Sequence, residues 1–142
     1  MILLDTTVLA YAVGEEHPLR APCRRLLAAH GAGRIEATTT IEVIQEFAHV
    51  RARRGSRDDA VRLARFYASA FSLLASQIED LDLGLRLFAS HSALGAFDAV
   101  LAGVALNRGV EALVSADRGF GAVPQLPWID PATLALDRLI GA

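Results

Sequence analysis

Short apolar runs of strand length alternate along this chain with longer segments of helical periodicity, and that alternation restricts the fold more than any other feature. Ile2–Leu4 is wholly apolar and ends at Asp5, as a buried strand does. Thr6–Val13 then predicts a short helix closed by Gly14. His17–His30 predicts a second, with Leu26 and Leu27 inward, Arg24 and Arg25 outward, and Gly31 and Gly33 at its end. Ile35–Thr38 is a strand candidate, followed by a helix over Thr39–Arg54 that Gly55 stops. Asp58–Leu74 carries Leu63, Phe66, Tyr67, Phe71 and Leu74 on overlapping faces, which predicts a helix held between layers or against another chain. Two more helices are predicted over Leu81–Ser90 and Phe97–Arg108, with the loose Ser92–Gly95 between them. Strands at Ala112–Ala116 and Trp128–Ile129 precede a last helix opened by Asp130 and Pro131. Strands that alternate with helices form a parallel sheet with helices on both faces, so the predicted class is α/β. Neither a repeat nor a linker divides the chain, and residues 1–142 are expected to form a single domain.

Composition removes several chemistries. Apolar residues make up 53% of the chain, enough to predict apolar surface covered by a partner or a second copy, and no run is long enough to span a membrane. The start of the chain lacks a basic leader, and Cys23 is the single cysteine, so an intracellular, cytoplasmic protein without an internal disulfide is expected. All fourteen basic residues are arginine. The absence of lysine excludes Schiff-base catalysis and the lysine of phosphate-binding loops. The net charge of −2 makes the whole molecule no attractor for nucleic acid. Any such binding must use a local patch, and Arg51, Arg53, Arg54, Arg57, Arg62 and Arg65 supply a candidate, equally readable as a solvated turn between two helices.

In an open parallel sheet, functional groups gather at the carboxyl ends of the strands. Asp5 and Asp117 each follow a predicted strand, although a helix cap and a turn would explain them individually. Asp98 is the only charged residue between Ala96 and Leu106 and shares a face with Leu101, Ala102 and Ala105; unless it merely caps the helix, it needs a cation or a raised pKa. Glu42 and Glu46 lie one turn apart on one helix, with Glu46 beside the apolar Ile44 and Phe47. Two carboxylates ~4 Å apart repel by ~4 kcal/mol at an effective dielectric of 20. Convergence of four would therefore demand a divalent cation, and oxygen ligands favour Mg²⁺ or Mn²⁺, which activate water and stabilise charge on a phosphodiester.

Four segments carry a specific resemblance: MILLDTTVL at 1–9, TTTIEVIQEF at 38–47, FDAVLAGVAL at 97–106 and LVSADRGF at 113–120. In order and spacing they resemble the PIN-domain proteins, in particular the VapC toxins of bacterial toxin–antitoxin pairs. The resemblance implies a PIN-like three-layer α/β/α sandwich with a short central parallel sheet. It also implies Mg²⁺-dependent endoribonuclease activity, with Asp5, Glu46, Asp98 and Asp117 as the catalytic, metal-binding set. Thr6 and Ser115 would orient carboxylates or water; the RNA contact itself stays with the arginine patch read above, Arg51, Arg53, Arg54 and Arg57, or with none of it if that patch is a solvated turn. A small cognate antitoxin and a homodimer are the implied partners. Many relatives carry a further acidic residue shortly after the fourth aspartate, where this chain has Gly119, which keeps open a non-catalytic metal- or RNA-binding regulatory module. Two other enzyme classes fit less well. His17, His30, His49 and His91 form no sequence pair for metal-free acid–base cleavage, and a haloacid-dehalogenase-like phosphatase needs an aspartate where Thr7 stands, and a lysine.

Overall fold

The computed structural model describes residues 1–141. Four very short strands, β1 (Ile2–Leu4), β2 (Ala37–Thr38), β3 (Ala112–Val114) and β4 (Trp128–Ile129), form one sheet in the order β2-β1-β3-β4. Every pairing is parallel, with Leu3 opposite Thr38 on one side and Leu113 on the other. Parallel neighbours require crossovers, and the helices supply them: α1 (Thr6–Val13), α2 (Arg20–Gly31), α3 (Ile41–Arg54), α4 (Arg57–Ala70), α5 (Ile78–Ser90), α6 (Ala96–Arg108) and α7 (Leu134–Ile140). The result is the expected α/β/α arrangement. Ile2, Leu3, Leu4, Leu113 and Val114 are fully buried, as central parallel strands must be when helices cover both faces. No described helix is long and apolar enough to cross a membrane.

Helix packing explains where α6 sits. Gly84 of α5 lies against Val100 of α6, and Gly103 of α6 lies against the Asp80 carbonyl, so the two backbones approach with no side chain between them. Beside this contact Asp80 is buried. It accepts hydrogen bonds from Asn107 Nδ2 (2.9 Å), Arg108 Nη1 (2.9 Å) and the Gln77 backbone N–H (2.8 Å). Although burial works against its charge, these bonds hold its carboxyl below the ordinary value of 3.8.

Several sequence expectations need correction. The helix predicted over His17–His30 starts only at Arg20 and leaves His17 in the loop before it. The segment predicted as one helix over Asp58–Leu74 ends at Ala70 and is not covered on both sides within this chain: Ala60, Ala64 and Tyr67 face the core while Phe66 is 62% exposed. Beyond it, Leu74 pairs with Thr40 and Ser72 accepts from the Thr38 hydroxyl, contacts that a continued helix would forbid. The last helix starts at Leu134 with Thr133 at its cap, while Asp130 instead accepts from Ala132 N within the preceding turn. The helix predicted from Leu81 begins at Ile78, because Gln77 and Asp80 form a capping box.

Candidate active site

β1 and β3 are neighbours, so the residues that leave their carboxyl ends emerge side by side. Asp5 stands at the cap position of α1, yet its side chain makes no capping bond. It is 3% exposed and turns toward β3, where Oδ2 accepts from the Ser115 hydroxyl at 2.6 Å and from the Thr7 hydroxyl at 3.0 Å. The Thr7 oxygen also accepts from Ala116 N (3.0 Å), and Ser115 Oγ accepts from Asp117 N (2.9 Å). Two hydroxyls thus stitch the end of β1 to the end of β3 and fix the Asp5 carboxylate.

The expected role of Ser115 in orienting a carboxylate is what these distances describe. Thr6 gives nothing to Asp5: its hydroxyl is buried beside Glu46, whose proton affinity it lowers, and the bonds to Asp5 go to Thr7 instead. Sequence reasoning passed over Thr7, whose contact spans 108 residues; the one available signal was a second hydroxyl directly after Thr6.

Asp98 lies in the first turn of α6, inside the helix and not at its cap, which is Gly95. Burial, then the charge of Asp5, with Asp117 and Glu46 adding, push its carboxyl up to about 8. Glu46, on α3, is raised too, by burial first and by Asp5 second; its Oε2 is buried with no hydrogen-bond partner. Asp5 is raised by burial, against which Ser115 and Thr7 act. Asp117 precedes a short 3₁₀ turn (Arg118–Ala122), and its Oδ1 accepts from Gly119 N at 2.9 Å. The turn reading of Asp117 is therefore correct as far as it goes, yet the residue also lines the same cleft as the other three.

Asp5, Glu46, Asp98 and Asp117 come from four distant stretches and line one cleft of about 310 Å³. Glu42 does not line it: its Oε1 accepts from Ser76 N at 2.9 Å, beside a separate pocket. Gly119 offers no room for a fifth carboxylate, since a Cβ there would lie 2.5 Å from the Ala93 carbonyl oxygen. Among the arginines, Arg51 is held by Asp59 (2.8 Å) and by the Val13 carbonyl, Arg53 and Arg57 are exposed away from the cleft, and Arg54 lines it. His17 is the one histidine among the lining residues, so no pair stands ready for metal-free acid–base cleavage.

Among the described residues, no three acidic, histidine or cysteine side chains are closed on a single point as a finished metal site. The chemistry of the donor set nonetheless suits a hard divalent cation: oxygen donors only, one buried oxygen without a partner, and raised proton affinities. Protons held this firmly mark positions where positive charge is wanted. Binding of a metal would displace them.

Residues 2–126 match the family model described as the PIN domain. Over 99% of both chains, the sequence is 51% identical to Ribonuclease VapC7 of Mycobacterium tuberculosis. It is 33% identical to Ribonuclease VapC23 of the same species, over 82% of this chain and 93% of that one. In three dimensions it resembles VapBC2 from Rickettsia felis, crystallised on a DNA fragment from their promoter, with a TM-score of 0.71 at 16% identity, covering 92% of this chain and 98% of that one.

Proposed function

This chain belongs to the PIN-domain family, and from that premise we propose that it is the toxin of a toxin–antitoxin pair, a Mg²⁺-dependent endoribonuclease that hydrolyses RNA phosphodiester bonds at Asp5, Glu46, Asp98 and Asp117. The observation that carries the reading is the meeting of these four carboxylates in one cleft, with a buried Glu46 oxygen left unpartnered. Such a group of like charges is costly until a cation joins it.

Asp5, Glu46, Asp98 and Asp117 would hold the ion between them. Mg²⁺, when bound, supplies an acidified water and a positive centre for the charge that develops on the phosphodiester; Mn²⁺ would serve the same purpose. The protein's own contribution is preorganisation. Ser115 and Thr7 fix one rotamer of Asp5, and Gly119 N fixes Asp117, so two of the four carboxylates are held in place before a metal or substrate arrives.

Its relatives, ribonucleases and a VapBC complex, support RNA as the substrate and a small antitoxin as the partner. A homodimer belongs to the same reading: Ile78, Leu81, Leu85 and Phe88 leave apolar surface exposed along α5, and sedimentation velocity would measure the association. Incubation of RNA with the protein in Mg²⁺, in EDTA, and with Asp5→Asn tests the activity. Cleavage is expected in Mg²⁺ alone and only by the wild type; cleavage that persists in EDTA would remove the metal. The closed position at Gly119 favours the second reading, a non-catalytic binding module, and retained RNA binding without cleavage in Mg²⁺ would establish it.

A further inference from the structure

The cleft extends well past its acidic floor, and the outer part is chemically different. Tyr11, near the end of α1, stacks on His17, with ring centroids 4.5 Å apart and planes inclined by 30°. Both rings line the cleft, Tyr11 half-buried and His17 exposed. The His17 ring is not free to turn, because its Nδ1 accepts from Leu19 N at 3.1 Å. The loop that carries it is anchored at its origin by Arg24 Nε on the Ala12 carbonyl (2.7 Å). Arg54, at the end of α3, lines the same cleft and forms no ion pair among the described residues.

Asp5 and Tyr11 are six residues apart, roughly 9 Å along the α1 axis. That spacing suits a nucleotide flanking the scissile phosphate. We infer that Tyr11 and His17 form a stacking step for an unpaired RNA base beside the cleavage site, while Arg54 holds a neighbouring phosphate. The inference rests on the ribonuclease reading and adds a subsite to it: a step that holds one base, turned out of its stack, beside the cleavage site. Aromatic rings receive unstacked bases in this way, and a duplex, whose bases are already stacked on each other, has none to offer. Glu15 and Glu16 line the same wall. They repel phosphate and can only accept hydrogen bonds, so they meet the base edge that carries amino or imino donors, while the rings take the base face and the backbone lies toward Arg54.

The test measures binding and cleavage separately. Fluorescence anisotropy in EDTA follows a short labelled single-stranded RNA, and the same strand annealed to its complement, on the wild type, His17→Ala and His17→Phe. A second series follows cleavage in Mg²⁺. Loss of one stacked base weakens binding between about five- and 150-fold. His17→Ala is expected to bind the single strand about tenfold more weakly and to show its effect mainly in KM, His17→Phe to restore wild-type binding, and the duplex to be insensitive to both. The subsite is overturned if wild-type binding to the single strand is not measurable, if His17→Ala binds like wild type, or if His17→Phe fails to restore it. Failure of the wild type to cleave in Mg²⁺ would instead overturn the nuclease reading, and the anisotropy series would still decide whether the step binds a base.

Discussion

Replacement of Gly84 by alanine sets two well-characterised effects against each other. Helix propensity favours alanine over glycine in a helix interior by ~1 kcal/mol, so by that criterion alone Gly84→Ala stabilises. The structure predicts the reverse. A Cβ at residue 84 would lie 2.6 Å from Val100 Cα and 2.9 Å from Val100 N, whereas carbon atoms settle at ~3.5–4.0 Å. The obstruction is backbone, so no rotamer change relieves it, and α6 must retreat by roughly 1 Å. Overpacking of this kind costs typically ~1–3 kcal/mol, and the upper end applies where a whole helix must move. Subtraction of the propensity gain leaves a net loss of about 2 kcal/mol, or ~4–8 °C in Tm for a chain of this size. Gly31→Ala is the matched control: no atom lies within 4 Å of its added Cβ, and the variant should be at least as stable as wild type. Urea and thermal unfolding of both variants provide the assay. Because α6 also carries Asp98, Gly84→Ala should slow RNA cleavage by up to ~100-fold, the penalty of a 1 Å misplacement. A Gly84→Ala protein that melts at or above the wild-type temperature would refute the close approach of α5 and α6.

Three further outcomes follow from the same contacts. Asp98→Asn should abolish RNA cleavage yet raise the melting temperature in EDTA, since it removes a carboxylate disfavoured by burial and by Asp5; a less stable variant would contradict the stated crowding. Ser115→Ala leaves buried Asp5 short of its 2.6 Å hydrogen bond, which should cost ~1–3 kcal/mol in urea unfolding and reduce cleavage as well. Asp80→Asn weakens the bonds to Arg108 and Gln77 and should cost ~2 kcal/mol at neutral pH. Because the folded carboxyl lies below 3.8, the wild-type advantage is present above that pH and is lost as acid protonates the folded state; the two melting curves should begin to approach each other only below pH 3.8 and meet below the folded pKa.

Much of this fold was legible because its strands are short, wholly apolar and bounded by charge or turn residues. β1 ends at Leu4 before Asp5 as expected, and β4 occupies Trp128–Ile129 as expected. Asp5 and Asp117 were placed together by the rule that strand carboxyl ends share an edge, Asp98 was marked by the oddity of a lone charge in an apolar helix, and Glu46 was assigned through the resemblance to the PIN-domain proteins; all four line one cleft. Long-range contacts were not legible. Thr7 matters because β3 delivers Ser115 to it, and no periodicity announces that meeting. Phe71 and Leu74 continue the apolar pattern of α4, yet pairing of Leu74 with Thr40 draws the chain out of the helix. The role of Asp80 was hidden too: its partners Asn107 and Arg108 lie at the far end of another helix, and only the Gln77–Asp80 spacing hinted at a cap. Glu42 shows the limit of spacing arguments, for it shares a helix with Glu46 and serves Ser76 instead.

Anomalous diffraction from crystals soaked in MnCl₂ reaches the central claim without recourse to activity. The account predicts a single strong region of manganese density in the cleft, within metal–oxygen bonding distance of the Asp5 and Asp98 carboxylates, and its loss in Asp98→Asn crystals. Manganese bound elsewhere, or a cleft in which those carboxylates remain protonated and metal-free at saturating manganese above pH 8, would contradict it.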